Sequence, residues 1–407
     1  MTAVDNAPAA ETPLKRSLGL GLTTLYGIGT TVGAGIYVLI GTVAGAAGYL
    51  APWSFLVAAA LAGLAAYAFA ELSRRHPKSA GEAHYVLVAF GRHWLSLVMG
   101  ALVLATAVVS AAAIARGAAG YLQLFLPLPD WMLIATTVAA LAALCAWGIR
   151  ESARFAGLIT LIEVGGIVLV IAAGLLGLGE EAPDLSRLLP RESAAVEPIF
   201  AGTLIAFFAF VGFEHMVNVA EEVRQPERVL PRAILLTLVI TTVLYVLLAA
   251  VAVLAVAPAG LAASGAPLVL IWERSIGAPW VLGAIGTLAT LNGLLAMLIL
   301  GSRVLFGLAR QGSLPELLGR VHIRRRTPVL ATALIAIAVL GAAMALPIAR
   351  LAELSSLITL VVFAAVSAAL LKVQARERRP KAARVVPLAS LVSILAFLGY
   401  ELAQRLL

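Results

Sequence analysis

Two carboxyl groups interrupt long apolar stretches of this 407-residue chain, where the surroundings decide their chemistry. Glu163 follows Leu161 and Ile162, and Glu214 follows the run 207–213. Burial without a neighbouring cation favours the protonated form of a carboxyl group, so either residue is a candidate for taking up and releasing a proton near neutral pH. A static role stays open for both, as a packing contact for Glu163 and as a paired or interfacial charge for Glu214.

A run of glycines, Gly27–Gly35, occupies the middle of the first long apolar segment. Its four glycines forfeit roughly 4 kcal/mol of helix propensity, at about 1 kcal/mol each relative to alanine. A helix that breaks here and restarts near Gly33 would expose backbone N–H groups and the positive end of its dipole, which suits a carboxylate ligand. Close helix packing through small residues is the alternative interpretation.

These groups belong to a membrane protein. The chain is 62% hydrophobic and 12% charged, whereas soluble domains carry about 25% charged residues. Most apolar stretches reach the roughly 20 residues needed to cross the bilayer as a helix. The sequence therefore predicts an all-α polytopic protein with about 11 transmembrane helices. The expected spans are 17–46, 51–73, 93–120, 131–148, 154–178, 197–220, 232–257, 279–308, 328–347, 351–373 and 384–406.

The basic residues predict the orientation of these spans. With the N-terminus in the cytoplasm, 23 of the 29 lysines and arginines fall on the inner side, as the positive-inside rule requires. The C-terminus is then external, and we expect the plasma (cell inner) membrane. The short segment 79–92 is too polar to cross, and we expect it to lie along the inner interface.

Spans one and six are both interrupted, the sixth by Gly212 ahead of Glu214. Because five is odd, a block of five spans that begins at span six runs opposite to the block that begins at span one, which predicts an inverted repeat with its binding site at the breaks. The expected division is a cytoplasmic tail (1–16), a first five-helix repeat (17–178), an external loop (179–196), a second repeat (197–373), and a linker with an extra transmembrane helix (374–407).

The motifs Gly27–Tyr37, Phe208–Glu214 and Glu221–Arg232 together resemble the amino acid-polyamine-organocation (APC) superfamily, nearest its bacterial and cationic amino acid transporter branch. The resemblance implies the LeuT-type fold of five plus five inverted spans, with spans one and six broken. It also implies an aromatic gate formed by Phe208.

The resemblance further implies which backbone groups hold a substrate. Its carboxylate would be bound by the amides of Gly33, Ala34 and Gly35. Its ammonium would be bound by the carbonyls of Thr31, Phe208, Ala209 and Val211. Two features depart from the family pattern: Glu163 stands where related proton-dependent members often have a lysine, and a twelfth span found in many relatives is absent.

The sequence thus favours a secondary active transporter that imports an amino acid or related amine together with a proton, carried by Glu163 or Glu214. An ion-coupled carrier of inorganic ions and a polyamine or organic-cation transporter stay open as alternatives. No catalytic motif of an intramembrane enzyme occurs, so no enzymatic activity is expected. No cofactor, metal site or nucleic-acid partner is expected either; the partners are the small molecule, the proton and the lipid bilayer, and the oligomeric state is left open.

Overall fold

The computed structural model describes residues 14–32, 34–123, 126–177, 184–190, 196–264, 267–273, 279–346 and 348–406. These residues are almost entirely helical, as the apolar pattern predicts. The α-helices are α1 (Leu20–Val32), α2 (Ala34–Ala47), α3 (Ala51–Arg75), α4 (Gly81–Phe90), α5 (His93–Gln123), α6 (Asp130–Trp147), α7 (Ile149–Leu176), α8 (Val196–Phe208), α9 (Pro226–Ala255), α10 (Pro258–Ala262), α11 (Pro267–Glu273), α12 (Pro279–Arg310), α13 (Val329–Ala345), α14 (Ile348–Arg376) and α15 (Val385–Leu406).

Nine apolar helical stretches of the described residues are long enough to cross a membrane. Span nine is α13, a shorter apolar helix of 17 residues. Span one is described as α1 and α2 on either side of Gly33, which itself lies outside the described residues. The helix count and the apolar character of the chain therefore fit a polytopic membrane protein.

Small side chains let the helices approach closely. Ala107, Ala111 and Ala115 follow one another at four-residue intervals on α5, and none is exposed. Residues four apart lie on one face of a helix, and α5 packs along α12 and α14. In lipid, such close backbone contact replaces the hydrophobic effect as the source of helix association.

The break in span six is well defined. Helix α8 ends at Phe208, a turn follows, and a 3₁₀-helix runs from Phe213 to Glu222. Gly212 joins the turn to the 3₁₀-helix with φ of 132°, and a Cβ there would collide with the carbonyl oxygen of Thr30. Only glycine fits this position. The predicted interruption of span six is therefore confirmed.

Several helices begin or end a few residues away from the predicted positions. Helix α9 begins at Pro226, six residues earlier than expected, because proline suits the first turn, where a missing N–H costs nothing. The segment expected at the inner interface forms α4, which packs against α5 and α14, and Glu82 and Tyr85 on it are almost fully buried. The helix therefore forms as expected between spans two and three, and its place along the inner interface stays a prediction.

Candidate functional site

The two broken spans meet around Gly212. Thr30 on α1 places its hydroxyl 2.9 Å from the carbonyl oxygens of both Gly27 and Gly212. One of these contacts lies within α1, and the other reaches the break of span six. Since a hydroxyl has one proton, it donates to one carbonyl at a time. The two halves of the predicted repeat are thus joined at their breaks.

Tyr245 of α9 lies between the same two segments. Its hydroxyl is 3.1 Å from the carbonyl oxygen of Thr31 and 3.1 Å from that of Ala209. The ring is fully buried and packs against Phe55 and Phe210 at centroid distances of 5.8 and 5.2 Å. Two backbone acceptors from different spans therefore converge on one buried point.

The other residues expected to bind substrate divide into two groups. Gly33 lies outside the described residues, while Ala34 and Gly35 are the first two residues of α2. Phe208 ends α8, and Val211 lies in the turn that follows. The ring of Phe208 packs against Phe207 and against Phe397 of α15, with centroids 6.4 and 6.2 Å apart.

Glu163 of α7 lies at the seam with α1 and α12. Its side chain is fully buried. The amide of Asn292 on α12 donates to one carboxyl oxygen at 3.3 Å and to the hydroxyl of Thr160 at 3.0 Å. On the α1 side, a Cβ at Gly29 would collide with the Thr160 hydroxyl. Within the described residues, the second carboxyl oxygen has no hydrogen-bond partner and no ion pair involves Glu163.

Glu214 comes two residues after Gly212, at the break of span six, and its side chain is 3% exposed. One carboxyl oxygen accepts a hydrogen bond from the backbone N–H of Gly212 at 2.7 Å. The other lies 3.5 Å from the imidazole Nε2 of His215. The carboxyl group therefore holds the strained turn at Gly212 in place, in addition to any role with a proton.

A third buried glutamate has a strong partner. Glu222, at the end of the 3₁₀-helix, receives two hydrogen bonds from the guanidinium of Arg303 on α12, at 3.1 and 2.9 Å. Neither side chain is exposed. The sequence does not identify Arg303 as the partner of Glu222. An arginine near the end of apolar span eight was the available signal.

Backbone hydrogen bonds also join the N-terminal segment to the residues that follow span six. The N–H groups of Ser17 and Leu18 donate to the Glu222 carbonyl at 2.9 and 3.0 Å, and Arg224 donates to the Leu18 carbonyl at 2.8 Å. Leu18 and Val223 thus form a short parallel bridge. We call this side of the molecule the N-terminal face. In this structure, the N-terminal segment is fastened there to the chain that follows span six.

Tyr245 is another site residue that the sequence did not identify. A tyrosine in an apolar span needs a hydrogen-bond partner when buried, so its presence in span seven was a signal. On α12, the hydroxyls of Thr287 and Thr290 bond to their own helix, whereas the Asn292 amide donates to Glu163. Only the tertiary contacts distinguish a polar side chain that bonds to its own helix from one that contacts another helix.

The arrangement of apolar helices around a broken span defines a class of membrane transporter. The solved structure of MhsT in complex with L-phenylalanine aligns with a TM-score of 0.61 at 16% identity, covering 95% of this chain and 98% of that one. This likeness shows that the chain has the LeuT-type fold.

The amino acid permease family profile matches residues 18–403, so the chain belongs to that family within the APC superfamily. The branched-chain amino acid permease BcaP of Bacillus subtilis is 30% identical over 397 residues, covering 91% of this chain and 83% of that protein. The vacuolar cationic amino acid transporter 2 of Arabidopsis thaliana is 31% identical over 383 residues. That match spans 88% of this chain and 60% of the plant protein's length.

Proposed function

We propose that this protein imports an amino acid, or a related amine, by alternating access and couples the import to a proton. One observation carries the proposal. The carbonyl oxygens of Thr31 and Ala209, one from each broken span, both lie 3.1 Å from the buried Tyr245 hydroxyl, and each carbonyl has a second lone pair that can accept from a ligand. Converging acceptors are what a substrate ammonium group requires. Membership of the amino acid permease family supports the same substrate class.

In this proposal the substrate bridges both broken spans. Its carboxylate is bound by the amides of Gly33, Ala34 and Gly35. Its ammonium is bound by the carbonyls of Thr31, Phe208, Ala209 and Val211. Phe208 acts as the aromatic gate above it. Tyr245 donates to one of the Thr31 and Ala209 carbonyls at a time and lies between them, which limits their movement and lowers the entropic cost of binding.

Glu163 is the proposed carrier of the coupling proton, and Glu214 is the second candidate. The contacts of Glu163 support this choice, since among the described residues a neutral amide and no cation accompany this fully buried carboxyl group. An ionised carboxylate in such a site costs several kcal/mol, so the group is protonated when the site is dry and releases its proton when an aqueous path opens. The proton then crosses with the substrate.

The bundle is proposed to lie in the plasma membrane with its N-terminal face toward the cytoplasm and its C-terminus outside. The excess of lysine and arginine on that face supports this orientation. The repeats are proposed to be 17–178 and 197–373. Release of substrate into the cell then requires the pairing of Leu18 with Val223 to open.

Two measurements test the substrate class. A thermal-shift screen of the purified protein against the common amino acids and several polyamines identifies the ligand, because a ligand at 100 times its Kd adds about 2.7 kcal/mol. We expect amides of the best amino acid, and its deaminated acid, to bind poorly. An amine without a carboxylate that binds as well as that amino acid would establish a polyamine or organic-cation transporter instead.

Coupling is tested in proteoliposomes under an imposed inward proton gradient, with and without sodium. We expect wild type to concentrate the substrate under the proton gradient alone. The Glu163→Gln variant fixes the neutral state and should retain binding and exchange while losing accumulation; Glu316→Gln, on an exposed loop residue, is the matched control. Accumulation by Glu163→Gln would transfer the role to Glu214, and uptake driven only by sodium would exclude a proton mechanism.

A further inference from the structure

A small cavity lies where α4 meets the 3₁₀-helix that follows span six. Three titratable side chains line it: Glu82, Glu214 and His215. The rest of its wall consists of hydroxyl and apolar side chains from α5, α12 and α14, including Thr106, Leu300, Thr359 and Phe363. No lysine or arginine lines the cavity among the described residues. Among the described residues, two carboxyl groups therefore share this small cavity, and its only basic side chain is an imidazole.

Glu82 faces this cavity with an unused oxygen. Its side chain is 1% exposed, and one carboxyl oxygen accepts a hydrogen bond from the Asn218 amide at 3.0 Å. The other oxygen is buried and has no hydrogen-bond partner within the described residues. The Nδ1 atom of His215 is likewise buried and has no hydrogen-bond partner within the described residues. Buried polar groups normally have a hydrogen-bond partner, so we expect these two atoms to bind a ligand.

The charge balance indicates which ligand. Two carboxylates in one low-dielectric cavity repel each other, and one imidazolium neutralises only one of them. At least one further positive charge is needed. The cavity is small and its wall is largely apolar, which does not suit the six or so oxygen ligands of a hydrated metal ion. A proton requires no such coordination shell.

The groups around Glu82 are consistent with this balance. On its own helix, Tyr85 is buried with an unpartnered hydroxyl, and His84 is directed to His76, with ring centroids 5.9 Å apart. Burial raises the pKa of Glu82 to about 7, against the opposing effect of the hydrogen bond from Asn218. The carboxyl group is thus poised to exchange a proton near neutral pH.

We infer that Glu82, Glu214 and His215 form a second proton-binding site, separate from Glu163 and connected to the 3₁₀-helix of span six. Asn218 provides the connection. Its amide nitrogen donates to Glu82, and its carbonyl oxygen accepts from the backbone N–H of Gly81 at 3.2 Å, which fixes the start of α4 to the 3₁₀-helix. Loss of the proton strengthens the bond to the amide donor, and gain of the proton weakens it. The proton therefore sets how firmly α4 holds this half-helix.

Proton binding itself is independent of the proposed transport function; only its assignment to the transport cycle rests on that proposal. The test therefore uses the purified full-length protein without substrate or gradient. Infrared difference spectra recorded between acidic and alkaline pH detect the carbonyl stretch of protonated carboxyl groups. We expect a buried-carboxyl band that disappears in Glu82→Gln and persists in Glu163→Gln and in the exposed control Glu316→Gln. A difference spectrum unchanged by Glu82→Gln would overturn the inference.

Two further arms keep the test decisive. Asn218→Leu retains both carboxyl groups and removes the amide donor to the charged form, so the midpoint of the band should move to higher pH; an unmoved midpoint contradicts the assignment of Glu82. Sodium chloride is compared with choline chloride at constant ionic strength. If sodium converts the band to carboxylate at constant pH, the cavity is a sodium site and the proton assignment is wrong.

Discussion

Glu222 and Glu163 are both fully buried, yet they lie in opposite kinds of surroundings. Glu222 shares two hydrogen bonds with the guanidinium of Arg303, and its backbone carbonyl receives the N-terminal segment. Glu163 has one long hydrogen bond from Asn292 and an unpartnered oxygen. A compensated charge stays ionised and fixes structure, whereas an uncompensated carboxyl group is free to change its protonation state. The comparison separates a structural lock from an exchangeable site.

This contrast also assigns the two regions different tasks. The Glu222–Arg303 pair joins α12 to the chain after span six on the N-terminal face, where Leu18 also pairs with Val223. The Glu163 region lies at the seam of α1, α7 and α12, beside the broken spans. Replacing charges in the first region should therefore change stability, and doing so in the second should change coupling.

The largest effect is expected for Arg303→Met. Removing one partner of a buried ion pair leaves an uncompensated carboxylate and typically costs about 3–5 kcal/mol. We expect a large loss of thermal stability in detergent, measured by the fraction of monodisperse protein after heating. The double variant Glu222→Met/Arg303→Met should recover most of it, since a packed apolar pair is often as stable as the ion pair. A single variant as stable as wild type would remove the distinction between the two glutamates.

A second effect extends the comparison to Glu82, another carboxyl group without a cation. Its pKa is raised from 4.5 to about 7, so the folded protein retains a proton that the unfolded chain loses as pH rises through that window. Stability should be full below the window and fall across it by roughly 3 kcal/mol, at 1.36 kcal/mol per pKa unit. Melting temperatures measured across this range should decline less in Glu82→Gln. An identical decline in that variant would assign the pH dependence to other groups.

Tyr245→Phe should have a smaller effect that falls on binding. The change removes one buried hydroxyl from between the Thr31 and Ala209 carbonyls, worth about 1 kcal/mol, or about fivefold in substrate affinity. Affinity is measured by titration calorimetry with the amino acid found in the thermal-shift screen. Tyr67→Phe, on the half-buried tyrosine of α3, is the matched control. Unchanged or tighter binding would show that the hydroxyl does not position the site.

The smallest effect on stability is expected for Glu163→Gln. A glutamine retains the size of the side chain and can accept the hydrogen bond from Asn292, so we expect a change below about 1 kcal/mol. The measurement is the same heating assay used for Arg303→Met. A loss as large as that of Arg303→Met would place Glu163 among the structural charges, and the comparison would fail.

The sequence by itself determined the class of protein and most of its architecture. Long apolar runs in a chain that is 62% hydrophobic leave only helices that satisfy their own backbone groups in lipid. The break of span six followed from Gly212 ahead of Glu214, because a glycine and a carboxyl group are both poor residues for an uninterrupted span. These are local properties, so they can be recognised from the sequence alone.

Only the tertiary structure decided which polar residues meet. Arg303 and Glu222 are far apart in the sequence, as are Asn292 and Glu163, and no local pattern pairs them. The mixed composition of segment 79–92 predicts an interfacial helix. Burial of Glu82 on that helix could not be predicted, because it depends on the bundle around it. A buried polar group takes its role from the partner that the fold supplies: a guanidinium pairs with Glu222, whereas no cation accompanies Glu163 among the described residues, and its proton-carrying role stays a proposal.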